Sequence, residues 1–324
     1  MYKTLLQAIG NTPLIKINFA FPATMLAKLE YLNPGGSIKD RSALYMIEEA
    51  ERTGKLKSGG TIIDASSGNQ GIATAMIGAI KGYQVIISVS EKISQEKLNT
   101  LRAYGAEVVI NPSTATLDDP KSYHSKAVAL HKQIPNSFMP NQYFNISNAH
   151  AHYHLLGPEI WEQTNGTITH FFAAAGTGGH VSGAGRYLKE KNPEIKIIAL
   201  DSINSWRATK GNPKPYQVEG MGIDFDSPVL QKEIIDEILE VHDKDALNML
   251  KILAHQHGLL VGPSSGAIAY AAYQYALDLK ETDVCVMIFG DSGRAYLTKK
   301  FYAKENNTHP MLQNKPLAKE TPII

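Results

Sequence analysis

The strongest constraint in this 324-residue chain is an alternation of two patterns. Short β-branched runs fall at Thr61–Asp64, Val85–Ser88, Glu107–Ile110, Thr169–Ala174, Ile195–Asp201 and Val284–Phe289. Longer stretches separate them: Arg41–Thr53, Gly71–Lys81, Gln95–Tyr104, Ser122–Gln133, Ala149–Gln163, His180–Lys191, Asp243–Gln256 and Ala267–Lys280. The longer stretches read as helices. Strand–helix alternation predicts an α/β fold of mainly parallel sheets with helices on both faces. Ala267–Lys280 is apolar on nearly every side, which predicts a buried helix. The length suggests about two domains, with a boundary near residues 140–148, where two similar strand–helix series meet.

Composition narrows the function classes. Apolar residues make up 43% and charged residues 19%, enough for a packed core and too apolar for wholesale disorder. Lys plus Arg (32) nearly cancel Asp plus Glu (31), so no global field favours nucleic acid or an anionic membrane. The single cysteine, Cys285, excludes an internal disulfide framework and multi-cysteine metal sites. It lies in an apolar run and reads as inert core. No apolar run approaches the ~20 residues of a membrane span, and the expectation is a cytoplasmic protein. In His150-Ala151-His152-Tyr153-His154 only the outer two histidines share a helical face. They read as surface or packing residues, and no metal is expected.

Three strand ends run into small-residue loops: Asp64–Gly71, Ala175–His180 and Val261–Gly266. Glycines let successive N–H groups turn toward one point, and the helix that follows adds a positive dipole end. Single turns need no ligand, but a parallel sheet brings such loops to one edge. Gly176-Thr177-Gly178 begins a dinucleotide fingerprint, with Asp201 at a suitable distance. Val181 occupies the third small position, so one phosphate suits the loop better. Gly262-Pro263-Ser264-Ser265-Gly266 satisfies the nucleophile-elbow pattern, with Asp291 and His309 following in hydrolase order. The helical pattern before it leaves only Gly258–Val261 for the required strand.

The segment Asn33-Pro34-Gly35-Gly36-Ser37-Ile38-Lys39-Asp40-Arg41 is the most informative. Asn-Pro-Gly-Gly breaks a strand, and Ser37 or Asp40 suits a helix cap. Lys39 then sits at a helix start, where the dipole disfavours its cationic form. An amine so placed serves as a nucleophile or base.

This segment resembles the cofactor-lysine motif of fold-type-II pyridoxal phosphate (PLP) enzymes, the family of cysteine synthase and cystathionine beta-synthase. Asn11-Thr12-Pro13-Leu14, Ser66–Gly71, Gly176–Gly179 and Ser264-Ser265-Gly266 follow in family order, and the resemblance spans Gly10–Tyr302. It implies a two-domain, tryptophan-synthase-beta-like fold. Residues 1–39 with 147–305 would form a larger PLP-binding domain, 40–146 a smaller mobile one, and 306–324 a tail with little regular structure. Lys39 would carry PLP and act as the catalytic base. Gly176, Thr177, Gly178, Gly179 and His180 would surround its phosphate, Asn69 its ring hydroxyl and Ser264 its pyridine nitrogen. Ser66, Ser67, Gly68, Gln70, Gln142 and Gly220 would hold the amino-acid substrate.

Val218-Glu219-Gly220-Met221-Gly222, Asp291-Ser292-Gly293-Arg294, Glu219 and Tyr143 look closest to the cystathionine beta-synthase core. The implied reaction is β-replacement on serine or an O-activated serine, through an aminoacrylate, with a thiol or sulfide acceptor. Cysteine synthase chemistry and a non-catalytic PLP-binding partner are the alternatives. His180 and Gln70 stand where the family usually has threonine. Ile223 stands where cystathionine-forming members have tyrosine. The resemblance also implies a homodimer. The final Ile324 suggests a tail that docks in an active site, as serine acetyltransferase does in cysteine synthases, and that enzyme is a candidate partner.

Overall fold

The computed structural model describes residues 1–114 and 118–302, together with the backbone of 319–320. Along the chain the strands are β1 (Leu14–Lys16), β2 (Thr24–Leu29), β3 (Thr61–Ala65), β4 (Gln84–Ser90), β5 (Glu107–Asn111) and β6 (Ser137–Phe138). They continue with β7 (His170–Ala174), β8 (Lys196–Ser202), β9 (Glu237–Val241), β10 (Val284–Phe289) and β11 (Lys319–Glu320). The helices are α1 (Lys39–Arg52), α2 (Asn69–Lys81), α3 (Gln95–Ala103), α4 (Tyr123–Gln133) and α5 (Ser147–Ala151). After them come α6 (Gly157–Gln163), α7 (Gly179–Lys191), α8 (Asp243–His257) and α9 (Pro263–Tyr275). The chain divides into two compact units: Met1–Gly10 with Asn33–Asn148, and Asn11–Leu32 with Ala149–Ile324.

The first unit is built on a four-stranded sheet in the order β5-β4-β3-β6. All of its pairings are parallel. β3 is buried along its whole length because helices cover both faces. Ile62 joins Ala43, Ile47, Ala73 and Met76 of α1 and α2. Ile63 points the other way, to Ala127 of α4.

The second unit holds a seven-stranded sheet, β1-β2-β10-β7-β8-β9-β11. β2, β10, β7, β8 and β9 run parallel, and β1 and β11 pair antiparallel at the edges. The six expected strands are all present. β2 and β9 were not legible as strands because charged residues interrupt them. Lys28 of β2 is fully buried, and its ammonium donates to Thr12 O (2.6 Å), Glu159 (2.9 Å) and Gln163 (2.8 Å). Partners remote in sequence neutralise a charge that, read alone, argues against a central strand. β11 gives the expected irregular tail one short strand, which covers the otherwise open edge of β9.

Two helices differ from expectation. α9 is buried as predicted but begins at Pro263, which places Ser264 inside its first turn. The single helix expected over Ala149–Gln163 is instead α5, a π turn at His152–Leu156, and α6. Pro158 has no N–H for the preceding turn, and such wide turns form where the α ladder is interrupted. Cys285 is fully buried, and burial pushes its thiol up to about 12. Among the described residues, no helix is long and apolar enough to cross a membrane.

Candidate active site

In the first unit, Lys39 is the first residue of α1. That start lies before the expected Arg41, so Asp40 falls within the first turn, where a carboxylate complements the dipole. The Asn33–Gly36 turn closes with the Gly36 N–H on Asn33 O at 2.8 Å, and Gly36 has φ +87°. Ser37 Oγ accepts the Lys39 N–H at 3.2 Å, and the buried Asp40 carboxylate accepts the Gly35 N–H. A Cβ at Gly35 would lie 2.5 Å from Asp40 Oδ1, so this turn requires glycine. The Lys39 backbone is thereby fixed by the Ser37 hydroxyl, and the turn before it by the Asp40 carboxylate.

The Ser66–Gly71 loop joins β3 to α2. Ser66 Oγ accepts the Gly68 N–H (3.2 Å), and Ser67 Oγ accepts the Ser90 N–H (2.8 Å). Asn69 opens α2, and a Cβ at Gly71 would lie 2.7 Å from Ser66 O. Gln70 turns inward, with 1% of its surface exposed. It accepts from Ser42 Oγ at 3.2 Å and donates to Thr74 Oγ1 at 3.4 Å. Thr74 Oγ1 donates to Asp64 Oδ2 at 2.8 Å. Burial pushes the Asp64 carboxyl up to about 6, although the Thr74, Ala65 and Gln70 donors pull the other way. Gln142 is 8% exposed, and its Oε1 has no hydrogen-bond partner among the described residues. It lines a small cavity with Asp64, Ala65, Tyr123 and His124.

In the second unit, β7 ends in the Ala175–Gly179 loop and α7 begins at Gly179. Gly178 caps that helix with φ +83°, and a Cβ there would meet Leu230 at 2.6 Å. A Cβ at Gly176 would lie 3.0 Å from Gly220 O. Gly222 N donates to Ala175 O at 2.9 Å, so the Gly220–Gly222 turn lies against the loop. Ser264, 7% exposed, stands on the other side of that turn, its Oγ 3.4 Å from where a Gly220 Cβ would be. Gly176, Gly220 and Ser264 are thus brought together.

The donor set here suits a phosphate monoester. The first-turn N–H groups of α7 have no intrahelical acceptor, and the dipole end is positive. The Thr177 hydroxyl and His180 imidazole lie in buried residues beside them, and the glycines at 176 and 178 let the loop pack against Gly220 and Leu230. These residues fit the phosphate of PLP. His152 was not legible as part of this region. It is fully buried, with its ring centroid 5.9 Å from that of His180. Its placement depends on the π turn, which no sequence period announces.

Two other expectations are resolved by geometry. Asp201, the acid of the partial dinucleotide fingerprint, is fully buried and turned into the protein. The segment before Gly262–Gly266 is no strand. It follows α8 and makes one isolated bridge, Val261 to Ser292. A nucleophile elbow needs a strand there. His309 and the terminal Ile324 lie outside the described residues.

The chain matches the model of the pyridoxal-phosphate dependent enzyme family over residues 5–291. With this fold and these loops, it belongs to that family, on a fold-type-II framework. Cystathionine beta-synthase of Apis mellifera is 45% identical over 304 residues, covering 91% of this chain and 60% of that protein. The chain thus spans about three-fifths of that curated relative's length. The solved O-acetylserine dependent cystathionine beta-synthase from Helicobacter pylori is 39% identical with a TM-score of 0.86, covering 94% of this chain and 99% of that one. A hydrogen sulfide-producing enzyme from Fusobacterium nucleatum is 38% identical with a TM-score of 0.86, covering 92% and 100%.

Proposed function

We propose that the protein catalyses β-replacement on serine or an O-activated serine, with a thiol or sulfide as acceptor. The observation that carries this reading is the phosphate cradle of Gly176–His180 packed through Gly220 against a neutral hydroxyl, Ser264. The near-complete coverage of the Helicobacter pylori enzyme supports the same chemistry.

PLP, when bound, supplies an electron sink for charge that develops at the substrate Cα. Lys39 would carry the cofactor, and its Nζ would take the Cα proton and return one later. Thr177, His180 and the glycine N–H groups hold the phosphate. Asn69 serves the ring hydroxyl. Ser264 offers the pyridine nitrogen a hydroxyl without a formal charge, which suits prompt expulsion of the β-substituent. Ser66, Ser67, Gly68 and Gln142 hold the substrate, and the Gln142 Oε1, which has no hydrogen-bond partner among the described residues, is suited to orienting it. The Cβ–O bond breaks, a Cβ–S bond forms, and the thiol proton balances the departing water or acid.

Cystathionine-type chemistry uses homocysteine, and cysteine-synthase-type chemistry uses sulfide. The second reading is favoured by Ile223, a buried residue with no hydroxyl to offer an acceptor. A panel of serine, O-acetylserine and O-phosphoserine against sulfide, homocysteine and cysteine, read by product mass, separates them. A protein that binds PLP yet converts no donor would instead be the non-catalytic partner. A cytoplasmic homodimer is part of this proposal, supported by the resemblance and tested by light scattering. A serine acetyltransferase partner is also part of it, tested by co-purification.

A further inference from the structure

Asp201 lies at the end of β8 and is fully buried, yet no step above uses it. Four donors surround it. Its Oδ1 accepts the N–H of Ser202 (2.8 Å) and of Ile223 (2.9 Å). Its Oδ2 accepts Ser205 Oγ (2.7 Å) and Arg207 Nε (2.8 Å). The second arm of Arg207 reaches Glu240 at 2.7 Å, and Glu240 is the direct neighbour of Asp201 across the β8–β9 pair. One guanidinium thus joins two carboxylates that would otherwise repel, and its planar fork suits that task. Arg207 N also donates to Ile223 O at 3.0 Å. Ile223 is therefore gripped at both its N–H and its C=O by the same pair. Its neighbour Gly222 is bonded to Ala175 at 2.9 Å, and Gly220 lies between Gly176 and Ser264. Residues 203–230 contribute no strand to the sheet, and hydrogen bonds hold them instead: Lys214 N on Asn204 O (2.9 Å) and Gln217 N on Asp243 (2.7 Å) fix the middle of the segment, and the Asp201–Arg207 pair fixes it at Ile223.

We propose that Asp201 and Arg207 are positioning residues of the PLP site, setting the Gly220–Gly222 turn against Gly176 and Ser264. This rests on the reading of Gly176–His180 and Ser264 as PLP contacts. A purely structural ion pair would affect folding stability alone. A positioning pair changes how tightly PLP is held and the environment of its ring. Asp201→Asn replaces one acceptor oxygen with an amide that must face two of the four donors. Arg207→Lys keeps the charge but loses the fork.

The test uses the purified full chain. Variants verified as folded by circular dichroism are stripped of PLP and titrated with it, and the visible absorption band of each reloaded protein is recorded. Both variants are expected to weaken PLP binding at least tenfold and to shift the band. Arg207→Lys, at a partly exposed side chain, carries the test if Asp201→Asn is insoluble. Binding within twofold of the parent with an unmoved band would overturn the proposal. Ser264→Ala separates the two readings. If it too leaves binding and band unchanged, the assignment of the PLP contacts fails. If it alters them while Arg207→Lys does not, only the positioning role fails.

Discussion

Lys39 Nζ is the atom on which the proposed chemistry turns, so its removal gives the sharpest residue-scale test. Lys39→Ala should lose the lysine-bound PLP absorption and lower turnover by roughly 10³-fold or more, while keeping its circular dichroism spectrum. Gln70 was expected to hold substrate, but its side chain is engaged inward with Ser42 and Thr74. Ser42 Oγ also lies 3.2 Å from Lys39 O, so Ser42 links the two. Gln70→Ala and Ser42→Ala should therefore be non-additive in kcat, with an interaction of about 0.5–1 kcal/mol in a double-mutant cycle. Strict additivity would place Gln70 outside this network. Asp64 gives a pH signature of unusual sign. Its carboxyl sits at about 6 in the folded protein, above its ordinary value of 3.8, because burial disfavours the charge. The folded state binds more protons than the unfolded one in between. The group's contribution is most favourable below about pH 4, and roughly 3 kcal/mol is lost as pH rises through 6. Asp64→Asn should flatten that slope, as measured by chemical denaturation at pH 5 and 7.5.

At the scale of elements, glycines decide how closely helices meet. A Cβ at Gly183 of α7 would lie 1.9 Å from Ala149 O and 2.9 Å from Tyr153 N. Gly183→Ala must push the α5–π segment away, and should cost about 3 kcal/mol in thermal or urea unfolding. Gly82 offers the contrast: φ is +75° but nothing lies near its Cβ position. Gly82→Ala should cost only about 1 kcal/mol, from backbone conformation alone. The alternation of patterns located α1, α2 and α7 to within a few residues, because each carries one apolar face against a sheet. It did not locate the π turn or the exact start of α1. Those depend on Pro158 and on the Asp40–Gly35 contact, which single-element periodicity does not encode.

For the whole molecule, PLP is a ligand of the folded state and should stabilise it by mass action. At one hundred times its dissociation constant the gain is about 2.7 kcal/mol. Stripping PLP should lower the melting temperature by several degrees, and re-addition should restore it; equal melting temperatures would argue against binding to the folded form. The amino-acid sequence by itself determined the α/β class, the parallel sheets, the buried α9 and the glycine loops. Those features follow from local periodicity and from residue types that only certain backbones tolerate. The lysine motif and its companions pointed to the family for a similar reason, since they lie in contiguous stretches. Tertiary structure alone decided that β2 is an interior strand despite Lys28, that Gln70 faces inward, that His152 meets His180, and that Asp201 grips Ile223. Each of these joins residues distant in the chain, and burial changes what a charge or polar group costs. A sequence lists such groups without their partners, and the partners determine whether each is a liability, a support or a site.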